Sequence, residues 1–457
     1  MRVQHLFHSA DVERQTLHRR ITPTAVQRAQ QQVRWQDVCD YLIDDLSEKS
    51  GYAISSWLQG SYKFGTQIRP AKLGDEFDID LGIYFHWQGD AGATGEDPRA
   101  LKALVQQSLH DYAVEAEDDV EEVVDPPKER CSRVRFSGDF HIDVPSYHLD
   151  EGRDARDLAT ETNGWEESDP KALYVWFHRL FADDDTAQVR RLTRYMKMWA
   201  ALKLSERPAS VLLTVLVAEA YIGLTAAEIE TDDFALRNVA ATILDRMTGS
   251  AEVENPAIRR ENLNRMSPVA TEDFLAGLRT LIDIADGADN AATEAEAAFW
   301  WTEAFDHFFP APTQQRAEGG GLVPVAFDPQ VSVEARPEGS PAVMRGLNSI
   351  GPIPKKSAVT FTLDNARLLP AGAQVRWFVR NEGEEAELVN DMGHVSQVGP
   401  TAREDSAYRG THYMDVVAVS ALGGVLGFRR VPVQVSGMVM PPRNPKRPGY
   451  RRHGARR

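Results

Sequence analysis

Residues 60–70 read GSYKFGTQIRP and residues 77–85 read FDIDLGIYF. Polar and apolar side chains alternate through the second stretch, which predicts a β-strand with Phe77, Ile79 and Leu81 turned toward a core. Asp78 and Asp80, two residues apart, then project together from the other face. Like charges held this close are unfavourable unless a cation neutralises them, and hard oxygen ligands at this spacing suit Mg²⁺ or Mn²⁺. Glu76 shares their parity but is expected to precede the regular strand. In the first stretch Gly60 and Ser61 open a turn about one strand length upstream of the aspartates. A small residue there lets backbone N–H groups approach a phosphate, and the Ser61 hydroxyl adds a hydrogen bond.

Working outward, FHIDVPSY at residues 140–147 predicts a strand that pairs sideways onto the same sheet and brings Asp143 as a third carboxylate. Three carboxylates can hold two divalent ions. His141 shares the parity of Asp143 and is read as an ordinary hydrogen-bonded histidine. On the N-terminal side, Val26, Ala29, Val33, Val38, Leu42 and Leu46 recur at mostly helical intervals, predicting a long helix over residues 23–50 with Thr22 as N-cap and Pro23 in the first position. Residues 52–58 and 134–136 are expected to be extended. The first 165 residues therefore read as an α+β domain.

Beyond it, Val189, Leu192, Met196 and Trp199 form a helical stripe, and a helical lobe is expected over residues 166–310. Asp183–Asp185 read as a loop or a helix start, and Trp300 and Trp301 as core or interface. Residues 311–354 are rich in Pro, Gly and polar residues and read as a linker; short β-rich segments within 355–437 predict a β-sandwich. The tail, 438–457, is basic and expected to be disordered.

With 457 residues, 42% hydrophobic and 26% charged, the chain is long enough for two or three domains and too apolar to be disordered throughout. Its net charge is −17, and Lys446 with six arginines puts +7 in the tail, so the body is more acidic than the total. Such a surface repels a polyphosphate backbone and makes long nucleic acid a poor partner except through the tail. The two cysteines, Cys39 and Cys131, form no zinc-type pair and fit a reducing compartment. The first residues lack the apolar core of a signal peptide, and the longest apolar-rich run, residues 211–218, is too short to span a bilayer. A cytoplasmic protein with no membrane partner is expected.

On these residues the chain resembles the cGAS/DncV-like nucleotidyltransferases of bacterial anti-phage signalling, members of the polymerase-beta-like superfamily. Gly60 and Ser61 match the Gly-Ser motif, Asp78 and Asp80 the paired metal ligands, and Asp143 the third carboxylate. RLTRYMKMW (191–199) and PASVLLTVL (208–216) resemble the segments that reach the donor triphosphate through Lys197 and Ser210. Read without the resemblance, those two are an exposed helix lysine and an N-cap serine. VRWFVRNEGEEAE (375–387) and YRGTHY (408–413) resemble the adenylyl/guanylyl-cyclase and SMODS-associated C-terminal sensor domain. The resemblance implies an α+β, polymerase-beta-like nucleotidyltransferase core with a helical lobe and a C-terminal β-sandwich. It also implies two Mg²⁺ (or Mn²⁺) ions on the three aspartates, ATP and/or GTP as substrates, and a cyclic di- or oligonucleotide product. An activating ligand or regulatory protein is implied too. The residues themselves argue only for nucleotidyl transfer. An RNA end as acceptor, and a nucleotide-binding regulator without turnover, stay open as alternatives.

Overall fold

An eight-stranded mixed sheet buries the apolar faces of the N-terminal strands. Its strands are β1 (Ala53–Gln59), β2 (Phe77–His86), β3 (Val120–Val123), β4 (Ser132–Phe136), β5 (Phe140–Val144), β6 (Ser146–Asp150), β7 (Ala155–Ala159) and β8 (Trp165–Glu167). The order is β3-β4-β5-β2-β6-β7-β8, with β1 antiparallel to β2. Because Pro145 interrupts the chain between β5 and β6, both run parallel to β2 in succession, first against Phe77–Asp80 and then against Ile83–His86. The register sets Asp78 beside His141 and Asp80 beside Asp143. The computed structural model describes residues 2–437 apart from 12–14, 73, 93–95, 117–118, 138–139, 312–326 and 422. The expected basic tail, 438–457, lies outside the described residues, as does part of the expected linker.

Helices Ala25–Ser50 and Pro98–Glu115 cover the sheet, and Val38, Leu42, Leu46, Ile79, Leu81, Ile83, Val105, Leu109, Ile142 and Val144 are fully buried between them. Removing each such side chain from water contributes about 1.5–3 kcal/mol. The long helix starts two residues later than the sequence suggested. Thr24, not Thr22, is its N-cap and forms a reciprocal capping box with Gln27. Thr22 is engaged elsewhere: its hydroxyl donates to the His18 carbonyl at the end of the preceding short helix, Leu17–Ile21.

Helices Asp183–Lys203, Ser210–Ile222, Asp232–Gly249, Pro268–Asp289 and Glu294–Phe305 follow. The three aspartates 183–185 form the first turn of their helix, where negative charge complements the macrodipole. Trp301 is buried against Phe7. Ser210 is the first residue of its helix and Ala209 the N-cap, with no side-chain capping bond, so the N-cap reading of Ser210 does not hold. Among the described residues no helix is long and apolar enough to cross a membrane.

The chain divides at Phe305 and Asp306 into two units. The second contains β9 (Val331–Pro337), β10 (Met344–Leu347), β11 (Ile350–Pro354), β12 (Ser357–Leu363), β13 (Gln374–Arg380), β14 (Gly393–Val398), β15 (Thr401–Asp405), β16 (Gly410–Val419) and β17 (Val425–Ser436). They make a four-stranded sheet, β10-β9-β12-β15, and a five-stranded sheet, β11-β17-β16-β13-β14. Val333, Phe361, Trp377, Met414, Val416 and Val431 belong to the core these strands share. The expected linker 311–354 is therefore strand in its second half. The alternation in VSVEARP is short and flanked by Pro and Gly, which hid it, β10 pairs back onto β9 as a hairpin, and β11 gains its stability from pairing with the distant β17. Asp415, buried and outside that core, accepts from both Arg380 and Arg430. Arg380 also donates to the carbonyls of His307 and Phe309.

Candidate active site

β2 is the element that builds the site. Phe77, Ile79 and Leu81 are anchored in the core, so strand alternation leaves Asp78 and Asp80 on the opposite face as predicted. The parallel pairing with β5 then brings Asp143 level with Asp80. Ligand atoms of Asp78, His141 and Asp143 all lie within 4.8 Å of one another, an arrangement able to hold a metal ion. Asp80 is not in that trio; its Oδ2 faces Gly60, where an added Cβ would stand only 1.8 Å away. Gly60 itself has φ +58°, a left-handed conformation that glycine adopts without penalty.

Burial, and then repulsion from Asp78 and Asp143, push the Asp80 carboxyl well above the usual carboxylate range. Burial pushes Asp143 the same way, but Arg133 more than compensates and its carboxyl ends below that range. Arg133 grips Asp143 through two bonds, 2.5 and 2.8 Å long, and Lys128 stands 3.5 Å away. His141 sits between Glu76, at 2.6 Å, and Asp78, at 2.9 Å. Glu76 precedes the strand, as expected, and also pairs with Arg135. A carboxylate cluster with an imidazole, one of its acids destabilised by its neighbours, is the donor set a hard divalent cation neutralises.

The aspartates open on a cleft of about 450 Å³ that is also lined by Gly60, Ser61, Thr66, Ser210 and Arg130. Of the residues singled out in the sequence, Gly60, Ser61, Asp78, Asp80, Asp143 and Ser210 meet there. Lys197 does not line the cleft. It is buried rather than exposed, its ammonium donates to the Thr66 carbonyl at 3.1 Å, and burial lowers its pKa to about 8. Two further bases on the same helix act alike, since Arg190 donates to the Phe64 carbonyl and Arg194 to that of Gln67. Positions 190, 194 and 197 follow one helical face, which fastens the segment after the Gly-Ser turn. That i, i+4, i+7 spacing was legible in the sequence. Arg133, Lys128 and the approach of His141 to Asp78 were not, because each depends on strand pairing.

Comparison with known proteins identifies the class of the first unit. Residues 55–147 match the family described as "Cyclic GMP-AMP synthase DncV-like, nucleotidyltransferase domain", so the chain carries a nucleotidyltransferase. Residues 312–436 match the "Adenylyl/Guanylyl and SMODS C-terminal sensor domain". A cyclic GMP-AMP synthase of Escherichia albertii is 28% identical over 95% of this chain and 96% of that protein. A c-di-GMP synthase of Roseivirga ehrenbergii is 24% identical over 41% of the chain and 54% of that protein. The fold resembles the crystal structure of Vibrio cholerae DncV cyclic AMP-GMP synthase, with TM-score 0.56 and 19% identity over 67% of this chain and 97% of that one. The chain thus carries a DncV-like nucleotidyltransferase domain followed by a C-terminal sensor domain, and it is similar along most of its length to a cyclic GMP-AMP synthase.

Proposed function

We propose that this enzyme joins nucleoside triphosphates, ATP and GTP foremost, into a cyclic di- or oligonucleotide that serves as a second messenger in anti-phage defence. The observation that carries the proposal is the in-register pair Asp80 and Asp143 on β2 and β5, with Asp78 beside them, at the floor of a cleft bordered by Gly60 and Ser61. The names of the relatives support the product class.

Two Mg²⁺ or Mn²⁺ ions held by Asp78, Asp80 and Asp143 would supply Lewis-acid activation of a 3′-hydroxyl and charge neutralisation at the departing pyrophosphate. The chain's own residues do the rest. Gly60 and Ser61 present backbone N–H groups and a hydroxyl to the triphosphate, and Ser210 adds a hydroxyl from the helical side of the cleft. Lys197 serves the triphosphate site from beneath, holding Thr66 in place. Arg133 and Lys128 keep Asp143 ionised and oriented, while Glu76 and His141 fix the direction of Asp78.

The test is to incubate the purified chain with labelled ATP, GTP, CTP and UTP and either ion, treat with phosphatase, and compare it with Asp78→Asn/Asp80→Asn. A phosphatase-resistant product that the variant fails to make is expected. Extension of added RNA without such a product would assign the site to an RNA terminal transferase instead, and no turnover even with phage lysate would leave a nucleotide-binding regulator.

A further inference from the structure

The C-terminal unit contains a second cavity, of about 90 Å³, at one end of its β-sandwich. Its floor is apolar, made by core residues including Val359, Phe361, Met414 and Val433. One core-facing position of β16 departs from that pattern. His412, Met414, Val416 and Ala418 point to the same face by strand alternation, and the first of them is a histidine only 9% exposed.

The hydrogen bonding of His412 fixes its tautomer. Nε2 lies 2.8 Å from the Tyr408 carbonyl oxygen, which only accepts, so Nε2 carries the proton. Burial lowers the pKa of the ring, which favours the neutral form. Nδ1 is then a lone-pair acceptor, and it is buried with no hydrogen-bond partner. A buried acceptor left unmade costs about 1–3 kcal/mol, so the position calls for a donor. The walls indicate the charge of that donor. Asp391, Glu404 and Asp405 line the cavity, and no Lys or Arg does so among the described residues. Asp391 accepts from the Tyr408 hydroxyl, and Glu404 accepts from His394 and Ser396. His394, which also lines the cavity, offsets Glu404, so Asp391 and Asp405 set a negative field that disfavours anions such as phosphates.

We propose that this cavity is a binding site for a compact organic cation of the amidinium or ammonium class, which places its carbon body on the apolar floor and donates an N–H to Nδ1 of His412. The site lies wholly within the C-terminal unit and does not rest on the nucleotidyl-transfer reading.

Acetamidinium, acetamide and acetate have the same shape and differ in charge, so they serve as probes. Saturation-transfer NMR on the full chain is expected to show acetamidinium binding at millimolar concentration, weaker acetamide binding and no acetate binding. His412→Gln keeps an N–H for the Tyr408 carbonyl but moves the acceptor, because its carboxamide oxygen does not stand where Nδ1 does; it should reduce the acetamidinium signal at least tenfold at unchanged melting temperature. Asp405→Asn, at the rim, should weaken acetamidinium severalfold and leave acetamide alone, and it serves if the first variant does not fold. Equal acetamidinium signals in wild type and folded His412→Gln, acetate binding as well as acetamidinium, or no acetamidinium binding to the wild type each overturn the proposal. Repeating the measurement with Asp78→Asn, where binding is expected to persist, separates this outcome from any failure of the catalytic reading.

Discussion

Replacing Gly60 with alanine adds one methyl group at the point where the turn meets the acidic strand. The new Cβ would stand 1.8 Å from Asp80 Oδ2 and 2.9 Å from its Cγ, whereas ordinary contact begins at 3.4 Å. Either the carboxylate or the turn must therefore move by roughly 1.5 Å, and a misplacement of about 1 Å near reacting groups costs on the order of 10²-fold in rate. The positive φ adds strain of about 1–2 kcal/mol, which a chain with cores of this size tolerates. Initial rates of phosphatase-resistant product formation at saturating Mg²⁺ should fall about 10²-fold or more in Gly60→Ala, with a melting temperature lowered by only a few degrees. Ser61→Ala, which removes a hydroxyl without crowding Asp80, should lose only about tenfold, the worth of one hydrogen bond. A Gly60→Ala enzyme within a few-fold of wild type would refute the argument that this glycine exists to admit the Asp80 carboxylate.

Asp80→Asn should raise the melting temperature at neutral pH without divalent ions: burial and two neighbouring acids raise the native pKa, so ionisation penalises the folded state above it, and the gain should vanish as pH falls toward the unfolded carboxyl value near ~4. Millimolar Mg²⁺ should stabilise the wild type and not the variant, which a thermal-shift titration reads directly. Lys197→Met removes a lysine whose pKa drops from 10.5 to about 8, a burial penalty of ~3 kcal/mol, less ~1 kcal/mol for the Thr66 carbonyl left without its donor. Denaturant unfolding at pH 7 should show a net gain of ~2 kcal/mol, shrinking between pH 8 and 10.5, where the unfolded wild type binds more protons than the folded, while product formation falls. Asp415→Ala leaves Arg380 and Arg430 without their shared buried carboxylate and should destabilise the C-terminal unit by about 3–5 kcal/mol; an unchanged unfolding profile would show the triad to be dispensable.

The acidic strand was fully legible because its information is local: a period of two fixes which side chains share a face, whatever the rest of the chain does. Asp143 was legible only through the pattern around it, since the register that sets it beside Asp80 depends on where Pro145 breaks the strand and lets β5 and β6 pair in turn with β2. Lys197 shows where local reading stops. Amphipathic spacing leaves it free to be exposed, and only the packing of helix Asp183–Lys203 against the segment after the Gly-Ser turn buries it. The strands β9 to β11 fail for a related reason. Each is short, and β11 pairs only with β17, far away in sequence, so flanking prolines and glycines outweighed their alternation.

The ionic arrangement of the active site follows from the same constraints. Strand geometry forces Asp78, Asp80 and Asp143 together before any ligand is present, and the fold answers with a different device for each. Asp143 receives a two-point Arg133 grip and stays ionised; Asp78 has the His141 ring, itself held by Glu76, 2.9 Å from its carboxylate; Asp80 has neither a hydrogen bond nor an ion pair of this kind among the described side chains and bears the destabilisation. Binding energy from a divalent cation is therefore greatest at Asp80, the acid whose charge is least compensated, and loss of that one carboxylate should weaken metal affinity more than loss of Asp78. Isothermal titration with Mn²⁺ on Asp78→Asn and Asp80→Asn separately tests the ranking, and a weaker affinity in the former would mean that His141 and Asp78, not Asp80, dominate the ion's coordination.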